Sequence, residues 1–159
     1  MTRGLTAAAV GDPANHARYA IIRCLHGPRP EHRARRLVVS ILAGAGVLTR
    51  LPEVELAVHE LVANARLHAP GPYELRILLA GDFVKIAVMD GGDDHAELER
   101  RLLRAASAGA ADGESGRGLQ IVTGLFPGSY GAEPTSTCTG LTPAKQAWIA
   151  IERPVRDEP

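Results

Sequence analysis

The sequence predicts an α+β fold, a two-layer sandwich with helices packed on one face of a mixed, mostly antiparallel sheet. Three observations lead there. The runs "YELRILLA" (73–80) and "FVKIAVMD" (83–90) flank Gly81-Asp82, a pair suited to a tight hairpin turn with glycine at its first central position. Segments of helical period lie on both sides of that hairpin, and an alternating run closes the chain. With 159 residues, 45% of them hydrophobic, the chain has the length and composition for a single core. Helices, hairpin, helices, strand is the order of a sheet covered on one face.

Element by element, residues 14–26 and 31–43 alternate arginines with apolar residues at three-to-four spacing, predicting two amphipathic helices parted by the breaker "GPRP". The first belongs to a helical N-terminal extension over 1–30, ahead of a domain over 31–152 and a tail over 153–159. "GAGVLTRLP" forms a turn, and Pro52 suits the first turn of a helix over 52–69 that ends at "APGP". After the hairpin, "DHAELERRLLRAASAG" (94–109) reads as a helix broken by "AADGE", and 117–126 as a helix entered through glycines. "PGSYGAEPTSTCTGLTP" (127–143) is loop-like with room for one short strand; "KQAWIAIE" is the last strand.

Net charge is zero, yet residues 1–36 hold seven arginines against Asp12 and Glu31. They read as a solvated helical surface or as a docking surface for an acidic protein. Only six aromatic residues are present and no dense basic face emerges, which argues against nucleic acid as a direct partner. No apolar run approaches the ~18 residues of a membrane span, and the first residues lack a signal-peptide pattern, so a cytoplasmic protein without membrane contact is expected. Cys24 and Cys138 lack the paired spacing of a zinc site or disulfide framework and read as idle reduced thiols.

"HELVANARLHA" (59–69) raises a question of chemistry. Around this helix Val54, Val58, Leu61 and Ala65 share one face, suited to a sheet, while Glu55, His59 and Arg66 gather on another, suited to water. Glu60 and Asn64 stand one turn apart on the third, bordered by Leu56, Ala57 and Leu67. They could cap a loop or pair with a neighbouring arginine; a zinc-protease reading fails because Ala63 stands where the second histidine is required. Asp90, at a strand end before Gly91-Gly92, is a turn former or a ligand acceptor. Gly116-Arg117-Gly118-Leu119 opens an apolar helix, where backbone N–H groups can meet an anion, but the lysine of a Walker P-loop is missing.

In combination, "ELVAN", "MDGG" and "GRGL" resemble the N, G1 and G2 boxes of the GHKL ATP-binding superfamily, which includes gyrase, Hsp90 and histidine kinases. "ELAVHELVANARLHA", "VKIAVMDGG", "ESGRGLQIV" and "KQAWIAI" look most like its small anti-sigma-factor serine/threonine kinases, a resemblance covering about 32–152.

The resemblance implies the Bergerat fold with ATP and magnesium as cofactors. Asn64 would hold magnesium and Glu60 would polarise the attacking hydroxyl or water. Asp90 would accept from the adenine amino group, with Gly92 letting the base approach, and Gly116, Arg117, Gly118 and Leu119 would form the phosphate-side lid. Lys145 receives no firm role. Two departures stand out: Asp94 replaces the second G1 glycine, and 94–109 is a charged helix. The implied function is an ATP-dependent kinase that sequesters a sigma factor or phosphorylates an anti-anti-sigma antagonist, with a homodimer allowed. The alternative is an inactive ATP-binding scaffold. A histidine-kinase fragment is disfavoured because His16, His26 and His32 lack a phosphoacceptor helix pair.

Overall fold

A computed structural model describes residues 19–108 and 116–153. The elements run β1 (Tyr19–Cys24), α1 (Pro30–Gly44), α2 (Leu51–His68), β2 (Glu74–Ala80), β3 (Phe83–Asp90), α3 (His95–Ser107), α4 (Arg117–Leu125), β4 (Tyr130–Ser136) and β5 (Pro143–Glu152). Five antiparallel strands form one sheet in the order β1-β2-β3-β5-β4, and the helices lie on one of its faces, as the α+β expectation requires. None of the described helices is long and apolar enough to cross a membrane.

The hairpin forms as read, with Ala80 opposite Phe83 around Gly81-Asp82. Inward residues of β2, β3 and β5, among them Ile77, Ile86 and Ile149, pack against Val38, Val58 and Leu61 of the helices in one core. In the helical layer α2 lies between α1 and α4, and α3 packs on α4 and β4.

The expected helix over 14–26 is corrected: residues 19–24 form β1, an edge strand paired with β2, and 14–18 lie outside the described residues. Six residues with arginine only at position 23 fit a period of two as readily as one of 3.6, and pairing with the exposed edge of β2 decides between them. Part of the stretch assigned to an extension is thus sheet. The face of α2 assigned to water also proves to lie beside α1. There Arg35 donates to Glu55 at 2.8 Å and Arg66 pairs with Glu31.

On the face of the sheet away from the helices, Glu74 is almost fully buried and accepts from Arg76 Nη2 at 2.6 Å and from the Cys138 amide at 3.1 Å. Burial pushes this carboxyl's pKa up, but Arg76 and Cys138 outweigh burial and hold it below the usual value. A depressed folded pKa contributes stability above the unfolded value of about 4.3, lost as pH falls through the folded value. Glu74→Gln is therefore expected to cost about 2 kcal/mol at neutral pH, below the full cost of a broken buried pair because Arg76 reaches water. Urea melts from neutral to acid pH should converge for the two proteins; a constant gap throughout would count against the ion pair.

Candidate functional site

The C-terminal half of α2, the inner side of α3 and the start of α4 enclose a cleft of about 1020 Å³. Glu60 and Asn64 reach it because the spacing that buries Val58, Leu61, Val62 and Ala65 turns them sideways. Opposite stand Gly116, Arg117, Gly118 and Leu119; Gly116 precedes α4 with φ 116°, a conformation that suits glycine and turns the chain into the helix. Six of the eight residues singled out in the sequence therefore line one cleft.

Gly118 lies close against Glu60: a Cβ there would sit 2.5 Å from Glu60 Oε2. Glycine at this position leaves the carboxylate its place beside the α4 N-terminus. Glu60 is the only carboxylate on the described lining, facing Arg101, Arg104 and Arg117. This is an anion-receptive wall with one acid set in it.

Asp90 and Gly92 lie outside this lining. Asp90 is nearly buried at the end of β3, and its Oδ1 accepts from the Gly92 amide at 2.8 Å and from Lys145 Nζ at 2.7 Å. Register explains the pair, since Asp90 sits opposite Lys145 across the β3–β5 ladder. A Gly92 Cβ would come within 2.4 Å of Lys145 Nζ, so glycine here makes room for lysine. Gly91 instead fastens the strand end to the α2–β2 loop, its amide donating to Pro70 O at 2.8 Å, and a Cβ there would fall 2.2 Å from Gly71 O. At the cleft rim His68 has its pKa lowered, by burial first and then by the charges of Arg101 and Lys145.

Two participants escape the sequence reading, Arg101 and Arg104, and Lys145 gains a partner there that its sequence context does not indicate. Arg101 and Arg104 carry a signal, since both lie within one turn of the buried Leu102 on a strongly amphipathic α3. Lys145 carries none without the strand register. Arg101 Nη2 donates to Asn64 Oδ1, so Asn64 does pair with an arginine, one of the options its sequence context leaves open.

Whether magnesium fits can be tested on this geometry. The ion requires an octahedral shell of oxygens, most of them from carboxylates, phosphates and water. Here the Asn64 oxygen is engaged by a guanidinium, and among the described lining residues Glu60 is the only carboxylate beside three arginines. The arrangement does not fit a magnesium ion on Asn64.

Residues 28–139 match the family profile of the histidine kinase-like ATPase domain. No curated protein matches the chain. Among solved structures, a chain of the SiaB-SiaC complex from Pseudomonas aeruginosa is similar in fold, with TM-score 0.55 and 14% identity over 82% of this chain and 89% of that one.

Proposed function

Since the chain belongs to the histidine kinase-like ATPase domain family, we propose that its cleft binds ATP and that the protein regulates a protein partner as an anti-sigma-factor serine/threonine kinase. The observation carrying the proposal is the meeting of Glu60 and Asn64 with Gly116–Leu119 around an arginine-lined cleft. In this reading the α4 N-terminus and the arginines take the phosphates, since backbone N–H groups and guanidinium forks both suit phosphate oxygens. Glu60 takes the proton of a serine or threonine hydroxyl as its oxygen attacks the γ-phosphorus and ADP leaves. Asp90 and Gly92 serve the adenine end, with Lys145 released from Asp90 when the amino group arrives. No step runs through magnesium.

An anti-anti-sigma antagonist is the proposed acceptor and a sigma factor the proposed captive. That a protein of like fold was solved in a complex, SiaB with SiaC, supports a role in partnering. The alternative, an ATP-binding scaffold without transfer, is favoured by one feature, the Asn64 oxygen already held by Arg101.

ATP at ~100 times its dissociation constant is expected to add about 2.7 kcal/mol, a melting shift of a few degrees. No shift with ATP or ADP at millimolar ligand sinks the ATP reading. Incubation with γ-labelled ATP and a candidate antagonist then separates the two roles, since labelled phosphoserine or phosphothreonine requires the kinase and binding without label the scaffold.

The arginines near the N-terminus are proposed to dock an acidic partner. Because β1 belongs to the sheet, a truncation that tests this must keep Tyr19 onward. Such a shortened chain should lose partner affinity more at low salt than at high salt, with its ATP-induced melting shift kept. Equal loss at both salts would point away from charge.

A further inference from the structure

We infer that Arg101 stands in for the divalent cation, so that this cleft binds a nucleoside triphosphate without magnesium; the inference rests on the ATP reading of the same cleft. Arg101 is partly buried, and its one hydrogen bond among the described residues goes to neutral Asn64. The nearby Glu97 is engaged elsewhere, with Arg100 and Arg104. Among the described residues, Arg101 thus has no hydrogen-bonded anionic partner.

A triphosphate would supply that anion. Guanidinium groups bind phosphate oxygens through paired N–H donors, and Arg117 lines the same cleft at the start of α4. A magnesium ion at Asn64 would have to displace Arg101 from that oxygen. The family pattern places a metal ligand at Asn64, but α3 here brings a permanent cation to that oxygen.

Calorimetric titration of the full chain with ATP, in magnesium buffer and in excess EDTA, tests this. The wild type should bind with similar affinity in both buffers. Arg101→Gln keeps a donor for Asn64 but loses the charge, so its EDTA affinity should fall roughly tenfold or more, the worth of a charge-assisted hydrogen bond. Arg101→Lys should retain most of the metal-free binding. A wild type that loses tenfold or more in EDTA, or an Arg101→Gln protein that binds normally there, overturns the inference while leaving ATP binding intact. Absence of binding in both buffers removes the ATP reading and this inference with it.

A second observation independently carries a modification site. Cys24, closing β1, and Cys138, in the β4–β5 connection, bring their Sγ atoms and a Glu74 carboxylate oxygen within 4.8 Å of one another. Both Glu74 oxygens are already engaged, Oε2 by Arg76 and Oε1 by the Cys138 amide, which disfavours a metal site. Glu74 also raises the pKa of the Cys138 thiol, which favours Cys24 as the first nucleophile. Cys138 is exposed and Cys24 partly so.

We propose that an organic hydroperoxide converts the pair to an intramolecular disulfide. One thiolate sulfur attacks a peroxide oxygen, giving a sulfenic acid and an alcohol; the second thiol displaces water to form the S–S bond. The link would tie the β1 edge to the β4–β5 loop across the sheet face away from the helices. After treatment with tert-butyl hydroperoxide, the intact mass should fall by two hydrogens, and one linked peptide should contain both cysteines. Cys24→Ser should yield no linked peptide. Chain-to-chain dimers, or sulfinic acids with no linked peptide, would overturn the proposal.

Discussion

On the proposed kinase reading, replacing Glu60 by glutamine is expected to lower phosphoryl transfer roughly 10²–10⁴-fold, the usual worth of a general base, with ATP affinity held or raised. Glu60 is the one carboxylate on the described lining, which also carries Arg101, Arg104 and Arg117. Removing its charge takes repulsion away from the phosphates and leaves the hydroxyl without a proton acceptor. Gly118→Ala is the companion test. Its Cβ would meet the end of the Glu60 side chain, which can swing away at little cost to the fold, so transfer should fall while the melting temperature stays. Single-turnover transfer and calorimetry on both variants read the two effects separately. Loss of ATP binding in Glu60→Gln, with transfer per bound ATP unchanged, would show that the residue has been given the wrong role.

Gly91→Ala is expected to destabilise the fold by about 3 kcal/mol or more, at the upper end for overpacking. The methyl group would fall 2.2 Å from the Gly71 carbonyl oxygen, and its nearest neighbours are all backbone atoms that cannot rotate aside. The Gly91 amide is also tied to Pro70 O, so strand and loop cannot part without losing that bond. Gly92→Ala differs, because its Cβ would meet the end of Lys145, and the expected loss there is the Asp90–Lys145 pair. Urea unfolding should show a lower midpoint with an unchanged slope for Gly91→Ala. A midpoint like that of the wild type would mean that the two segments can separate freely.

Much of the fold was legible because it is written in local periodicity. The turn at Gly81-Asp82 sets the hairpin register, and the apolar spacing of α2 leaves Glu60 and Asn64 facing sideways. The glycines before α4 mark its entry. β1 was not legible, since six residues carry too little pattern to outweigh an arginine-rich context, and its pairing with β2 is long-range. Nor was the outward face of α2 as wet as its polar residues suggested, because α1 supplies Arg35 and Glu31 to meet them.

Helix and strand periods decide which side chains share a face, so the two-layer architecture and the shared face of Glu60 and Asn64 were already present in the order of residues, while the family resemblance implied that Gly116–Leu119 belongs to the same site. Which charges meet at that wall depends on how the elements pack. Arg101 reaches Asn64 because α3 packs on α4 beside α2, and Lys145 reaches Asp90 because β5 pairs with β3 in one register. Cys24 meets Cys138 because the β4–β5 connection returns over Glu74. Long charged side chains and lone thiols carry no local period; their partners follow from contacts between segments far apart in the chain, which no local pattern encodes.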